Sequence, residues 1–315
     1  MKKIAAIGEI LVEIMALERG DGFREPLNLI GPFPSGAPAI FIDQAAKLGQ
    51  PCGIVSCVGD DDFGRVNLDR LKRDGVDASG IAVDPEAATG SAFVRYRQDG
   101  ARDFVFNIKH SASGRIRLDA AAATLIRGSD HLHVMGTSLF SPSLVVATRQ
   151  AISIVKRKGG TVSFDPNVRQ EMLGLPGLRD ALNAIFAKCD LFMPSGPELF
   201  LFSEARSEEE AVADILRRGR RHVVVKRGGE GAAYYDAAIS LRLPAFKAKE
   251  VDPTGAGDCF GAAFVSCWLR GMSPNEALTY AAASGARAVE KQGPMEGTST
   301  MAELDAFIAE REARR

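Results

Sequence analysis

Two hydrophobic patterns alternate along the chain. Short runs of apolar and β-branched residues are separated by longer stretches in which apolar residues recur every three or four positions. The short runs are predicted strands, at residues 4–7, 53–58, 131–135, 161–164, 191–193 and 223–225. The longer stretches are predicted helices, among them residues 39–48, 63–74, 143–158 and 208–218. Strands that alternate with helices in this way indicate βαβ units built on a parallel sheet.

The predicted strands are apolar throughout rather than alternately apolar and polar. A strand of this kind is buried on both faces, whereas a strand with one solvent-exposed face alternates. The pattern therefore predicts an α/β fold in which helices cover both faces of a mainly parallel sheet.

Two segments depart from this pattern, at residues 11–34 and 89–108. Their apolar and polar residues alternate with a period close to two, and the pair Asp99-Gly100 supplies a turn between two strands. We expect both segments to form antiparallel excursions from the α/β core and to join in a small sheet, which would act as a lid over a cleft. The alternative is that they are surface ribbons.

Composition narrows the class of protein. The chain has 315 residues, 46% of them hydrophobic and 25% charged, which is ordinary for a folded protein and excludes a disordered chain. This length fits one large domain or two modest ones. With 39 Lys and Arg against 40 Asp and Glu, the net charge of −1 argues against nucleic acid or an anionic membrane as partner. Glycine is the one excess, at 32 residues.

Cysteine usage and the N-terminal stretch bear on location. Five scattered cysteines without a C-x-x-C spacing favour neither a disulfide framework nor a zinc site, so a reduced cytoplasm is expected. Glu9 and Glu13 interrupt the N-terminal apolar stretch, which favours a first strand over a signal peptide. The apolar stretch 259–269 has 11 residues, well short of the about 20 that cross a bilayer. We therefore expect a soluble cytoplasmic protein.

Residues 250–264 carry the clearest chemistry. Gly255, Ala256 and Gly257 open a predicted helix that runs to Leu269. The N–H groups of a first helical turn lack intrahelical acceptors, so they form an anion site, and small residues let a phosphate approach the backbone. Asp258 lies in the same turn, where a carboxylate could accept the proton of a hydroxyl that attacks phosphorus. The alternative is that Asp258 caps the helix and the glycines mark a loop.

Residues 252–264, DPTGAGDCFGAAF, resemble the signature of the PfkB/ribokinase family of carbohydrate kinases. Further matches are GEILVE (8–13), SGAPA (35–39), VGDDDFG (58–64), DPNVR (165–169) and VVKRGGEGA (224–232), so the resemblance covers essentially the whole chain. It implies a single ribokinase-like domain over residues 1–315, with a three-layer α/β/α core and a β-sheet lid. It also implies ATP-dependent phosphorylation of a sugar, with Asp258 as base and residues 255–257 as the anion hole. The sequence contains no P-loop motif.

The same resemblance assigns residues to the sugar. Glu13 stands where the family places an acid, and a carboxylate can accept from two hydroxyls; the alternative is an exposed acid on an edge strand. Gly36 would let the backbone lie against the sugar, or would simply start a helix. Asp165, Asn167 and Arg169 follow strand 161–164, at the carboxyl end where open α/β sheets bind ligands. A surface ion pair is the alternative for Arg169.

Phe93 and Arg95, on the first strand of segment 89–108, are further candidates for contact with the sugar. They alternate with Ala92 and Val94, so only one of the two sets faces the cleft. The spacing alone does not decide between the sets.

The cofactors that the resemblance implies are ATP and Mg²⁺. The candidate nucleotide-binding residues are Lys226, Gly228, Gly231, Thr254 and Gly257. For Lys226, which follows a predicted strand directly, a purely structural role is the alternative.

The chain departs from the family pattern at three positions. Ser195 replaces the Asn of a common N-x-x-E motif, which leaves Glu198 as the candidate that orders Mg²⁺ through water. Ile40 replaces an Asn expected at the sugar. Ala282 replaces an Asn that often lies by the nucleotide, a change that a mostly apolar adenine pocket tolerates. A monovalent-cation site at residues 252–254 is a further expectation.

Three sugars compete as substrate. Kinases of 2-keto-3-deoxygluconate must hold a carboxylate and usually carry Tyr and Arg on the second lid strand, whereas residues 104–108 read FVFNI. Residues 31–44 and 192–198 most resemble tagatose kinases, which favours phosphorylation of D-tagatose to D-tagatose 6-phosphate. Fructokinase and 2-keto-3-deoxygluconate kinase are the alternatives. A non-catalytic sugar-binding regulator with the same fold is the alternative of another class.

Two aromatic residues and two histidines suggest a subunit interface and a metal site, respectively. Phe104 and Phe106 on the second lid strand suggest pairing of two subunits, so we expect a homodimer through the lid. His131 and His133 could chelate a metal, but their alternation on a buried strand favours packing.

Overall fold

The computed structural model describes residues 1–168 and 174–313. The strands are β1 (Ile4–Ile7), β2 (Leu11–Ala16), β3 (Leu29–Ser35), β4 (Cys52–Gly59), β5 (Ile81–Asp84), β6 (Gly90–Tyr96), β7 (Arg102–Asn107), β8 (His131–Met135), β9 (Thr161–Asp165), β10 (Leu191–Phe192), β11 (His222–Lys226), β12 (Ala232–Tyr235) and β13 (Ser240–Leu243). The helices are α1 (Ala37–Lys47), α2 (Asp62–Arg73), α3 (Ala120–Arg127), α4 (Pro142–Arg157), α5 (Leu178–Phe186), α6 (Glu208–Arg217), α7 (Ala256–Leu269), α8 (Pro274–Val289) and α9 (Met301–Glu312). Each predicted strand and helix is present, with its ends shifted by at most two residues.

A large sheet forms the centre of the molecule. Within the described residues its nine strands follow the order β13-β12-β11-β10-β9-β8-β1-β4-β5, and β12 and β13 form the antiparallel edge of an otherwise parallel sheet. Ile4 of β1 pairs with Cys52 on one side and with His131 on the other. The chain thus moves outward from β1 to β4 and β5 and then returns to β8 on the opposite side. Ligands bind outside the carboxyl ends of parallel strands at such a reversal.

Helices cover both faces of this sheet. Ile4 and Ala6 belong to a core that contains Phe41 of α1 and Phe264 of α7. Residues between them face the other way, into a second core beneath α3, α4, α5 and α6. This alternation within one apolar strand confirms the three-layer prediction. Among the helices described, none has the length and apolar content that a membrane crossing requires.

A second, four-stranded sheet is formed by the two segments whose pattern departs from the rest. Its order is β3-β2-β6-β7, so strands from residues 11–35 and 90–107 join as predicted. The two segments meet through a parallel pairing of β2 with β6, while β3 and β7 pair antiparallel on the outside. A hairpin joins β6 to β7, with Gly100 at a φ of 84°. The alternative of separate surface ribbons is therefore wrong.

The two histidines of β8 are packing residues. Both are buried, and both form a hydrogen bond with the Ser163 hydroxyl. The distance to the hydroxyl oxygen is 2.7 Å from His131 Nε2 and 2.6 Å from His133 Nδ1. The ring of His133 stacks on Phe41 with centroids 3.7 Å apart. Burial lowers the pKa of His131 to about 3 and also lowers that of His133. Within the described part of the chain, no three metal-ligating side chains cluster.

Candidate active site

The residues of the predicted anion hole lie at the N-terminus of α7. Gly255 is its N-cap residue and has a φ of 81°, a left-handed conformation that favours glycine. A Cβ atom at this position would lie 2.5 Å from the carbonyl oxygen of Pro294. Ala256 and Gly257 follow in the first turn, whose N–H groups have no acceptor four residues earlier in the helix and carry the positive end of its dipole.

A buried ion-pair network fixes the loop that lies behind Gly255. Arg70 of α2 donates from Nη2 to the carbonyl oxygen of Met295 at 2.6 Å and to Asp43 of α1 at 3.3 Å. Burial raises the pKa of Asp43 to about 7, although Arg70 lowers it. Since Pro294 directly precedes Met295, these contacts hold its carbonyl group against Gly255.

Asp258 lies in the first turn of α7 and is 7% exposed. Asn167 donates from Nδ2 to its Oδ1 at 3.3 Å. Asn167 has a φ of 38°, a left-handed conformation just beyond the end of β9. The structure therefore brings the predicted base together with one of the predicted sugar-binding residues. Such a donor stabilises the charged form of a carboxylate.

A cavity of about 390 Å³ opens beside Asp258, between α1, α7 and the second sheet. The predicted residues that line it are Glu13, Gly36, Asn167, Lys226, Thr254, Gly255, Gly257 and Asp258. Gly36 caps α1 with a φ of 111°, and a Cβ there would lie 2.5 Å from the carbonyl oxygen of Glu9. Packing against the Glu9 backbone therefore requires glycine at this position, and the contact of Gly36 with a sugar stays a prediction. Ile40 also lines the cavity.

Two buried carboxylates line this cavity. Glu13 is 4% exposed and accepts hydrogen bonds from the hydroxyls of Ser35 and Thr254, each at 3.4 Å. Glu9 is equally buried and accepts from the Ser138 hydroxyl at 2.6 Å. The alternative of an exposed acid on an edge strand is wrong for Glu13. Glu9 was not among the predicted site residues, although it follows the carboxyl end of β1, where a ligand-binding residue is expected.

The structure places Phe93 and Arg95 away from the cavity. Ala92 lines it instead, which settles the face of β6. Arg95 is 5% exposed and donates to the carbonyl oxygen of Gly22 and to Glu25. Phe93 packs edge-on against Phe23. The assignment of Phe93 and Arg95 to the sugar is therefore corrected, because their face of the strand packs against residues of the β2–β3 connection.

Four residues in or just after β7 line the cavity, and the sequence analysis did not assign them to it. They are Arg102, Phe106, Ile108 and Lys109, of which Arg102 and Lys109 are exposed cations near the rim. Register could have found Arg102 and Phe106, because Ala92 pairs with Phe106 and Tyr96 with Arg102, so these four residues share one face of the sheet.

A second cavity of about 600 Å³ lies on the other side of the anion hole. Gly228, Gly231 and Lys226 line it, as predicted for nucleotide-binding residues, and Gly257 and Lys226 line both cavities. Thr254 lines the first cavity, where its hydroxyl donates to Glu13 at 3.4 Å. Its role in nucleotide binding stays a prediction.

Lys226 forms a buried ion pair with Asp165 at the junction of the cavities. Burial raises the pKa of Asp165 to about 6, against the effect of the Lys226 ammonium. Burial alone would lower the pKa of Lys226, but Asp165 and Glu198 outweigh it and raise that pKa, so the ammonium stays charged. Asp165 is fully buried and lines neither cavity. Its predicted contact with the sugar is thus corrected to the positioning of Lys226.

Glu198 holds two loops together. One carboxylate oxygen accepts from the backbone N–H of Val168 at 2.6 Å, and the other accepts from both the N–H and the hydroxyl of Ser195 at 2.7 Å. Ser195 therefore takes part as a donor despite replacing an Asn. The metal role of Glu198 stays a prediction, and Arg169 lies outside the described residues.

The expected monovalent-cation site at residues 252–254 has competing contacts. Asp252 is 1% exposed, and its two oxygens accept hydrogen bonds from Tyr96, from the N–H of Thr254 and from the N–H of Gly293. The carboxylate thus ties the α7 loop to the second sheet and to the 293–299 loop. A cation at this loop stays a prediction.

Comparison with known proteins indicates one family of enzymes. The model of the pfkB family carbohydrate kinases matches residues 1–301. Fructokinase-1 of Zea mays is 30% identical over 310 residues, which cover 96% of this chain and 96% of that protein. A 2-dehydro-3-deoxygluconokinase of Thermoproteus tenax is 31% identical over 318 residues, which cover 98% and 94%.

A solved structure from E. coli, described as a ribokinase II in complex with ATP and Mg²⁺, is similar in both sequence and fold. It is 50% identical, has a TM-score of 0.94, and the match covers 98% of this chain and 100% of that one. The fold of the present chain is therefore ribokinase-like. These matches show that the chain belongs to the pfkB family of carbohydrate kinases, which transfer a phosphoryl group to an alcohol.

Proposed function

We propose that this carbohydrate kinase transfers the γ-phosphoryl group of ATP to the terminal hydroxyl of a ketohexose, with D-tagatose as the preferred acceptor and D-tagatose 6-phosphate as the product. The observation that carries the proposal is the position of Asp258. It lines the smaller cavity beside the anion hole, and residues of that anion hole line the larger cavity as well.

In the proposed reaction Asp258 accepts the proton of the attacking hydroxyl. The new bond forms between the sugar oxygen and the γ-phosphorus, the bond from phosphorus to the bridging oxygen breaks, and ADP leaves. The N–H groups of Gly255, Ala256 and Gly257 stabilise negative charge on the moving phosphoryl group. Lys226, held by Asp165 where the cavities meet, adds a positive charge at the same place.

The larger cavity suits ATP. Gly228 and Gly231 line it near Lys226, while Phe246 and Phe260 give it an apolar part. Mg²⁺, when bound with the nucleotide, neutralises phosphate charge and is held chiefly by phosphate oxygens and water. Glu198 is the described carboxylate proposed to order that water, because it lies between Ser195 and Val168.

The smaller cavity suits a neutral polyol. Glu9 and Glu13 present buried carboxylates that can accept hydrogen bonds from several hydroxyls. Asn167 adds an amide group beside the reacting hydroxyl. A volume of about 390 Å³ accommodates a hexose. Tagatose is favoured over fructose by the resemblance of residues 31–44 and 192–198 to tagatose kinases.

An acidic sugar is the second candidate. Arg102 and Lys109 line the same cavity from its rim, and two cations there could bind a sugar carboxylate. This observation favours 2-keto-3-deoxygluconate, the type of substrate named for the relative from Thermoproteus tenax. The two candidates differ in which end of the cavity determines specificity: the buried acids or the exposed cations.

An ATP-coupled assay across D-tagatose, D-fructose, D-ribose and 2-keto-3-deoxygluconate tests the proposal. We expect the highest kcat/KM for D-tagatose, whereas a higher value for another sugar overturns that assignment. Combining Arg102→Gln with Lys109→Gln leaves turnover of a neutral sugar largely intact and abolishes preference for an acidic one. Absence of turnover with every sugar would favour the sugar-binding regulator.

We also propose a homodimer through the second sheet. Phe104 and Phe106 stack on each other with centroids 4.9 Å apart, on the face that lines the cavity. The opposite face of β7 presents Val105, which is 51% exposed, and at the far edge of the sheet Leu29 is 43% exposed. Light scattering at micromolar concentration is expected to give twice the monomer mass, and a monomer mass would count against the dimer.

A further inference from the structure

The wall that α8 gives to the nucleotide cavity carries no hydrogen-bonding side chain. Its lining residues are Ala282, Gly285, Ala286 and Val289. Their spacing of three, four and seven positions places them on one face of the helix. The side chains on that face can therefore make only apolar contacts with a purine base.

The polar side chains among the described lining residues lie elsewhere. Ser195 and Lys226 lie at the phosphate end, where Ser195 is engaged with Glu198 and Lys226 with Asp165. The remaining two, Lys247 and Glu250, are exposed to solvent. No described side chain of the cavity is thus both buried and available to read the edge of a base.

Apolar shape discriminates weakly between molecules of similar size. Strong rejection arises where the wrong ligand leaves a buried polar group of the protein without its partner. Adenine and guanine are close in size and differ in their polar edges. A wall of alanine, glycine and valine has no polar group that guanine would leave unpaired, whereas the phosphates, bound at residues 255–257 and Lys226, are common to both nucleotides.

We propose that the enzyme uses GTP as a phosphoryl donor nearly as well as ATP, and that the apolar α8 wall, which includes Ala282, sets this breadth. The inference rests on the proposed function. The step itself is unchanged: the new bond joins the sugar oxygen to the γ-phosphorus, the bond to the bridging oxygen breaks, Asp258 takes the proton, and GDP leaves.

The first test compares kcat/KM for MgATP and MgGTP with the sugar that the acceptor assay ranks first, together with the dissociation constants of ADP and GDP from calorimetry. We expect kcat/KM for MgATP to exceed that for MgGTP by less than about tenfold, and ADP to bind less than about tenfold more tightly than GDP. Tenfold is the scale of discrimination that apolar contact supplies. A preference for adenine of tenfold or more in either ratio overturns the proposal. Absence of transfer from both nucleotides is a different result, because it contradicts the proposed kinase function.

The second test uses matched variants. Ala282→Asn introduces an amide that can pair with N6 and N7 of adenine, so the ATP to GTP ratio is expected to rise by about fivefold or more. Ala282→Leu adds similar bulk without an amide and is expected to leave that ratio near its wild-type value. An equal change of the ATP to GTP ratio in both variants would show that the base is not recognised at this position.

Discussion

At the scale of single residues, the two glycines of the anion hole have different reasons to be glycine. Gly255 needs its left-handed φ of 81° and has no room for a Cβ beside Pro294. Gly257 is helical, and a Cβ there would meet only Lys226 Nζ, at 3.8 Å. The first glycine is therefore required by the fold, and the second leaves room for a ligand.

Alanine substitutions separate these roles. Gly255→Ala is expected to cost roughly 1–3 kcal/mol of stability, because it strains the backbone, and to lower kcat as well. Gly257→Ala is expected to keep or slightly raise the melting temperature while it lowers kcat, because its methyl group enters the space that both cavities share. Thermal unfolding and steady-state kinetics of the two variants check this. Wild-type kcat in Gly257→Ala would contradict the assignment.

The anion hole and the base could be predicted from the sequence because their spacing on one helix is local information, and both assignments stay predictions. The sequence misplaced Arg95, whose environment depends on which face of β6 meets the core, and it missed Glu9 and Arg102. Which face of β6 meets the cavity depends on the parallel pairing of β2 with β6, in which partners such as Leu11 and Gly90 lie 79 positions apart. Contacts of that range are determined by tertiary packing, which no local pattern contains.

At the scale of elements, several hydrogen bonds tie the second sheet to the loop before α7, among them the bond from the Thr254 hydroxyl to Glu13 of β2. Tyr96 at the end of β6 donates its hydroxyl to Asp252 at 2.5 Å. Asp252 also orders Thr254 and Gly293, so it links the sheet to both sides of the anion hole. This contact makes the second sheet a candidate for coupling sugar binding to the phosphate site.

Tyr96→Phe is expected to raise KM for the sugar by about three- to tenfold, the value of about 1 kcal/mol for one hydrogen bond, with kcat changed far less. Tyr280→Phe is the matched control, because Tyr280 donates to Asp305 at the same 2.5 Å but lines neither cavity. Steady-state kinetics of both variants provides the test. Equal KM values in the two variants would contradict a role for the second sheet in sugar binding.

The central elements were predictable because each buried strand is a continuous apolar run. β12, a buried strand of four residues, was not predicted, and neither were β5 and β13, which are four-residue edge strands with partly exposed side chains. Such strands lack a strong pattern, and their pairing is determined by the neighbouring strand. The second sheet was predictable as a sheet, but the parallel pairing of β2 with β6 was not, because it joins segments far apart in sequence.

At the scale of the whole molecule, buried histidines make stability depend on pH. The pKa of His131 is about 3 in the folded protein, below the about 6.5 of an unfolded chain. The unfolded state therefore binds more protons between these values, so the stability that neutral His131 contributes is complete above about pH 6.5 and is lost as pH falls. Asp43 and Asp165, whose pKa values burial raises to about 7 and about 6, act in the opposite direction.

A variant isolates the histidine contribution. His131→Gln is expected to flatten the fall of unfolding free energy between pH 6.5 and pH 4, by up to about 1.4 kcal/mol per pH unit. The exposed His110 provides the control, and His110→Gln is expected to leave the wild-type slope unchanged. Urea unfolding across this pH range measures both slopes. If His131→Gln retains the full wild-type slope, this origin of the pH dependence is wrong.

The most direct test of a sugar kinase that uses Asp258 as its base is turnover and sugar binding by Asp258→Asn. Asparagine keeps the size of the side chain but cannot accept the hydroxyl proton. We expect kcat with MgATP and the best acceptor sugar to fall by about 10²–10⁴, with the calorimetric Kd for that sugar within a few-fold of wild type. Turnover within tenfold of wild type would contradict the central claim.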